Sequence, residues 1–199
     1  MPPEPATHPS ADNTNAHASD EALIEAFADP ARARAAFNQL VRKYQQPLYR
    51  IIRRIVIDHD ETDDLLQEAF VKIWRHLGSF RQDAKLSTWL YRIATNEALS
   101  HLRKKRQRYF LPIGDVEGEL SQKLDASLAP DADEIQRRLQ QAIIRLPERQ
   151  RVVFQLRYFD EMKYEDMAEV LGVTVGALKA SYHHATQKLE KYLLADLNQ

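Results

Sequence analysis

Tyr164-Glu-Asp-Met-Ala-Glu-Val-Leu-Gly172-Val-Thr-Val-Gly-Ala-Leu178 has the spacing of two helices that meet at a tight turn. Ala168 is small where the helices must cross closely. Gly172 follows four residues later, where the turn needs a positive φ that glycine adopts at no steric cost. Met167, Leu171, Val173 and Leu178 supply a shared apolar core, and Thr174 stands where a hydroxyl caps the second helix. This is helix-turn-helix spacing. The second helix of such a motif enters the major groove with its N-terminal residues at base edges. Lys179, Ser181, His183, His184 and Lys188 project polar groups from it. An ordinary helical hairpin with a solvated basic face has the same spacing.

Upstream, the helical period continues. Asp133 to Leu146 reads as a helix stopped at Pro147, which can itself open the next helix, Glu148 to Tyr158. Asp160 to Lys163 is a turn, and the two helices of the motif run over Tyr164–Leu171 and Val175–Leu194. In the first half, Asp20 to Phe27 is a short amphipathic start. Ala31 to Ile57 carries Phe37, Leu40, Val41, Tyr44, Leu48, Ile51, Ile52 and Ile55 at three- and four-residue steps, with Pro47 predicting a kink or a break. Asp60 reads as an N-cap, with Asp63 three residues on as in a capping box. Leu66, Ala69, Phe70, Ile73 and Leu77 form the apolar stripe of that helix, and Gly78 ends it. A polar loop, Ser79 to Ser87, precedes a helix from Thr88 to Arg106.

Composition agrees with an all-α class. The 199 residues are 44% hydrophobic and 29% charged, with only 5 Gly. The absence of Cys excludes disulfides and thiolate metal sites and fits a reducing, cytoplasmic compartment. No apolar run approaches the roughly 18 residues of a membrane span. Residues 1–19, rich in Pro, Ala, Asn and His, lack the basic start and apolar stretch of a signal peptide and read as a disordered tail. The net charge of -1 conceals a polar layout. Arg81 to Arg108 carries eight Lys/Arg against Asp83 and Glu97, whereas Tyr109 to Glu134 carries seven acids against Lys123. The acidic stretch has Pro112, Gly114, Gly118 and Pro130 and no clear period, which makes it a flexible linker. The predicted organisation is a tail over 1–19, a helical domain over 20–108, a linker over 109–132 and a helix-turn-helix domain over 133–199.

Phe80 to Arg106, FRQDAKLSTWLYRIATNEALSHLRKKR, interleaves aromatics with cations. That is the chemistry of a single-strand surface, where bases stack on rings while Lys and Arg hold phosphates. Trp89, Tyr91 and Phe80 suit the first task, and Arg92, Arg103, Lys104 and Arg106 the second. Asn96 lies two helical turns beyond Trp89 on the same face, where its amide can pair with a base edge. Leu90, Ile93, Ala94 and Leu102 are core.

Three segments in order then resemble the sigma-70 superfamily, and the short length resembles its extracytoplasmic-function group. Asp63-Asp-Leu-Leu-Gln-Glu-Ala-Phe-Val-Lys-Ile-Trp74 is similar to the family's polymerase-docking helix. Phe80-Arg-Gln-Asp with Ser87-Thr-Trp-Leu-Tyr-Arg-Ile-Ala-Thr-Asn96 is similar to its -10 reading loop and helix. Leu146-Pro-Glu-Arg-Gln-Arg-Val-Val-Phe154 and the helix-turn-helix resemble its -35 module. The resemblance implies a non-enzymatic factor that takes core RNA polymerase to promoter DNA and assists melting, with an anti-sigma factor as a further partner. It assigns Asp63, Asp64, Gln67 and Glu68 to polymerase. Arg81, Lys85, Trp89, Arg92, Asn96, Arg103 and Lys104 fall to the -10 element. Lys179, Ser181, His183, His184 and Lys188 fall to the -35 element, with Ser181 and Lys188 at phosphate. The family's recognition helix commonly carries Arg where this chain has Ser181, His184 and Thr186, which implies fewer phosphate and guanine contacts. The acidic linker would thread polymerase channels that otherwise hold nucleic acid.

Two other classes compete. A helix-turn-helix regulator outside this family should lack the docking helix and the Trp89 region. For an enzyme, the cluster Asp58, Asp60, Thr62 and Asp63 suggests metal binding, but a calcium loop starting at Asp58 would need glycine at Asp63 and Glu at Ala69. His183 and His184 point about 100° apart on a helix and cannot chelate as an i, i+4 pair can. No metal or cofactor is therefore expected.

Overall fold

The computed structural model describes residues 18–109 and 134–197. Every element in these residues is helical: α1 (Asp20–Ala28), α2 (Ala33–Val56), α3 (His59–His76), α4 (Leu86–Tyr109), α5 (Glu134–Ile144), α6 (Glu148–Tyr158), α7 (Tyr164–Leu171) and α8 (Val175–Leu197). The predicted tail, apart from its last two residues, and almost all of the predicted linker lie outside the described residues. The chain falls into two compact units, Met1–Lys43 and Tyr44–Gln199.

In the first unit, Ser19 caps α1 by accepting from the Ala22 N–H at 3.2 Å. Lys43 donates to Asp20 at 2.8 Å and to the Ala18 carbonyl at 3.0 Å. The Phe27 and Phe37 rings meet at 6.3 Å. These contacts fold α1 back along the start of α2.

The second unit holds the rest. Helix α2 passes through Pro47 unbroken. An interior proline costs about 3 kcal/mol. Burial of Leu48, Ile51, Ile52 and Ile55 on the same helix, roughly 1.5–3 kcal/mol per side chain, outweighs it. Helix α3 starts earlier than the sequence reading placed it. Its N-cap is Asp58, whose carboxylate accepts from the Glu61 N–H at 2.9 Å, and Thr62 donates to the Asp58 carbonyl at 2.5 Å. The suspected metal cluster is thus a helix start, with acids near the positive end of the helix dipole. The buried stripe is also turned from the expected one, because packing against the neighbouring helices selects it: Thr62, Leu65, Ala69 and Ile73 are buried, while Leu66 and Phe70 are only half-buried. The helix closes in a 3-10 turn at Leu77–Ser79, and Gly78 takes no positive φ there.

Helices α3 and α4 run antiparallel. Glu61 near the start of α3 accepts from Lys105 near the end of α4 at 2.7 Å, and Lys72 reaches Glu97 at 2.6 Å. Helix α4 begins at Leu86, two residues before the predicted Thr88, and buries Leu86, Leu90, Ala94, Ala98 and Leu102 at period-4 spacing.

In the C-terminal module, α6 and α7 match their expected bounds. Pro147 is the N-cap of α6. Gly172 takes φ +66° and closes α7 through its N–H to the Ala168 carbonyl. Thr174 accepts from the Ala177 N–H at 3.2 Å and so caps α8. Ala142, Ile143, Leu146, Phe154, Ala185 and Leu189 form the core, with Phe154 stacked between Tyr158 at 5.1 Å and Tyr182 at 5.8 Å. Buried Arg151 donates to the Ile144 carbonyl at 3.1 Å, placing a cation at the negative end of α5.

Candidate functional site

Helix α3 turns its apolar stripe inward and so presents the opposite side to solvent. Asp63, Asp64, Gln67 and Glu68 are all exposed there. Asp64, Gln67 and Glu68 line a shallow depression of about 450 Å³ with Val71, Lys72 and Arg75. Asp63 stands apart from them, 3.4 Å from His59, whose ring also meets the Tyr49 hydroxyl at 3.0 Å. The sequence reading missed two apolar members of this face: Val71 and Trp74 are 48% and 42% exposed. Val71 and Trp74 thus stand exposed among charged side chains of both signs, Asp64 and Glu68 with Lys72 and Arg75. The signal was available, since both residues lie off the buried stripe.

On α4, Arg92, Asn96, Arg103 and Lys104 are exposed, and Arg81 is exposed in the preceding loop. Trp89 is half-buried with its ring tilted at 41° against Phe80, 5.2 Å away. Phe80 therefore fixes the indole orientation while one edge stays open. Arg103 donates to Ser100 at 3.0 Å, which holds the guanidinium along the helix. Lys85 is committed elsewhere: it pairs with Asp166 of α7 at 3.1 Å. Tyr91 is part of the packing rather than of the open surface. Burial pushes its hydroxyl above the ordinary range, and the Asp160 carboxylate adds to the push, opposed by Arg50.

On α8, about 100° of turn per residue divides the five expected residues between two sides. Lys179 and His183 share one side, with the Lys179 ammonium 5.7 Å from the Tyr164 ring centre. Ser181, His184 and Lys188 share the other, where Ser181 and His184 line a cavity. The exposed ridge between them carries Ala180 and Gln187. Gln187 was not anticipated, although its i+3 and i+4 spacing from His184 and His183 signals it. Glutamine pairs bidentately with adenine. Arg149 at the start of α6 lines the same cavity and adds a cation also left unassigned.

Family-level comparison matches this layout. Residues 40–108 match the model described as Sigma-70 region 2, and residues 136–189 match that described as Sigma-70, region 4. The chain is 36% identical over 166 residues to the ECF RNA polymerase sigma factor SigW of Bacillus subtilis, covering 79% of this chain and 89% of that protein. This chain belongs to the ECF sigma factors of RNA polymerase. A solved structure, CnrH in complex with the cytosolic domain of CnrY, superposes with a TM-score of 0.65 at 26% identity and covers 89% of this chain and 98% of that one. The RNA polymerase sigma-H factor of Pseudomonas aeruginosa is 38% identical over 168 residues, covering 79% of this chain and 86% of its own. A helix-turn-helix regulator outside the sigma factors is set aside by the region 2 match, which spans both α3 and the Trp89 helix. No described helix of this sigma factor is long and apolar enough to cross a membrane.

Proposed function

We propose that this ECF sigma factor binds core RNA polymerase through the exposed side of α3, brings it to promoters marked by -35 and -10 elements, and assists their opening. Asp64, Gln67 and Glu68, with exposed Val71 and Trp74 beyond them on the same helix, dock polymerase, and Asp63 lies at the edge of that surface. Arg81, Arg92, Arg103 and Lys104 hold the -10 phosphates, with Lys85 joining them once released from Asp166. Asn96 pairs with an unstacked -10 base, and Trp89 supports the melted edge. Lys179, His183, His184 and Gln187 meet -35 bases, while Ser181, Lys188 and Arg149 suit phosphate.

The observation that carries this reading is on α4. A ring held by Phe80 stands two turns from exposed Asn96, with exposed Arg92 and Arg103 around them. Stacking surface, base-edge amide and phosphate cations together are what single strands require. The CnrH structure, which holds a second protein, supports a protein partner for this chain as well, and we read that partner as an anti-sigma factor.

The test is anisotropy of a labelled single-stranded -10 oligonucleotide with the polymerase–sigma complex. Asn96→Ala should weaken binding by roughly 5- to 150-fold, the span of about 1–3 kcal/mol for a lost base contact, and the double variant Arg92→Ala, Arg103→Ala, which loses two phosphate contacts, should weaken it and flatten its salt dependence. Wild-type affinity in both would remove α4 from the DNA.

A further inference from the structure

Helix α4 carries six Lys/Arg and a single acid, Glu97. That acid follows Asn96 directly. At about 100° of turn per residue it stands on the flank of α4, between the exposed side with Arg92, Asn96 and Arg103 and the buried side with Leu90, Ala94 and Ala98. Exposed Lys104, seven residues further on, continues the same flank. Neighbouring Cα atoms are about 3.8 Å apart, and charges are felt over about 8 Å at physiological salt. A phosphate beside Asn96 therefore lies within the field of the Glu97 carboxylate, which repels it.

The carboxylate is cancelled from the neighbouring helix. Lys72 of α3 donates to Glu97 at 2.6 Å, with the Glu97 side chain only 13% exposed and that of Lys72 48%. Lys72 has a second acid within reach on its own helix. Glu68 stands four residues before it, the favourable order for a pair within one helix. Lys72 crosses to Glu97 instead, which takes the acid away from the DNA side of α4 and leaves Glu68 to the depression on α3. The other ion pair between these helices, Glu61–Lys105, ties the start of α3 to the end of α4 and is remote in sequence from Asn96.

We propose that Lys72, although carried by the helix that docks polymerase, is a positioning residue for the -10 strand: it neutralises Glu97 and so lets phosphate settle beside Asn96. This role rests on the reading of α4 under Proposed function. It differs from that of a plain staple between two helices, because the strand needs the acid cancelled and does not need the pair itself. Removing the acid should therefore make Lys72 dispensable.

The test uses the labelled single-stranded -10 oligonucleotide and the polymerase–sigma complex at saturating polymerase, with a thermal melt of each variant. Lys72→Met keeps the side-chain stem and loses the charge. It should weaken strand binding about fivefold, and the salt slope should flatten by up to about 0.7, one cation's worth on a single strand. Lys72→Arg should bind as wild type does. Glu97→Gln, which leaves no uncompensated acid, should bind at least as tightly as wild type. The double variant Lys72→Met, Glu97→Gln should return to within about twofold of wild type. Where the melt shows Lys72→Met unfolded, Lys72→Gln takes its place. Wild-type affinity in Lys72→Met overturns the proposal. So does a double variant as weak as Lys72→Met, which would put Lys72 itself on polymerase or on the strand, and so does a Glu97→Gln variant as weak as Lys72→Met, which would make the pair a staple. Asn96→Ala in the same assay reports separately on the reading of α4: wild-type affinity there removes Asn96 from the strand and leaves the rescue by Glu97→Gln to decide the role of Lys72. A wild-type complex that binds no strand overturns both.

Discussion

Trp89 is asked to do two things, and its surroundings let them be separated. It is half-buried and pairs with Phe80 at 5.2 Å, and in the proposed function it also offers an edge to melted DNA. Truncation to Ala would sacrifice both roles and cost about 3 kcal/mol or more of stability, the low end for a large aromatic. Trp89→Leu keeps much of the apolar volume. It loses the ring pair, about 0.5–1.5 kcal/mol, and a little burial, for a total near 1–2 kcal/mol. In a chain of this length that lowers the melting temperature by roughly 2–8 °C, so the variant remains folded at the assay temperature. Loss of one base stack removes about 1–3 kcal/mol from the melted complex, or roughly 5- to 150-fold in open-complex population. Permanganate reactivity of thymines around the start site measures that population directly. Trp89→Leu should reduce it, and Trp89→Phe, which restores a ring, should recover most of the loss. Equal thymine reactivity in wild type and Trp89→Leu, with both folded, would make Trp89 a core residue and nothing more.

Three further outcomes follow from the same geometry. Asp64→Lys with Glu68→Lys alters only exposed side chains, so stability should move by no more than about 0.5 kcal/mol per site while capture by core polymerase falls at least tenfold; undiminished pull-down would clear α3 of docking. Gly172→Ala meets no atom within 4 Å, so its cost is backbone strain at φ +66°, about 1–2 kcal/mol, and thermal melts should show Gly172→Asn costing less; an Ala variant as stable as wild type contradicts the strain argument. His184→Arg adds a permanent cation at the cavity face of α8, so the salt slope of -35 duplex binding by the polymerase complex should steepen by about 0.9, and an unchanged slope would place His184 away from phosphate.

Local chemistry was legible in the sequence wherever one residue decides one feature. Pro147 ahead of α6, Gly172 in the left-handed turn and Thr174 capping α8 each stand where their spacing put them, because proline, glycine and threonine act through their own backbone or nearest N–H. Competition between equivalent candidates was harder. Asp58 and Asp60 are both good caps, and only the packing of Thr62 and Leu65 against the interior selects Asp58. Rotation along α8 is hidden for a related reason: Lys179 and His183 share one side of the helix, Ser181, His184 and Lys188 the other, and Gln187 stands between them, a division that polar character alone does not reveal. The contacts between modules left no trace in the pattern. Asp160 reads as a turn acid and Asp166 as a first-turn acid, and Val152 and Leu156 as ordinary core. Their partners Arg54, Lys85, Ile51 and Ile55 lie far off in sequence, where periodicity carries no information.

Run-off transcription from a random promoter library, with core RNA polymerase alone and with this chain added, tests the central claim most directly. The account predicts discrete transcripts only when the chain is present, whose templates share two elements about 25 base pairs apart, near -35 and -10, and that Asp64→Lys with Glu68→Lys abolishes them. Transcripts identical with and without the chain, on a polymerase that responds to another sigma factor, would contradict it.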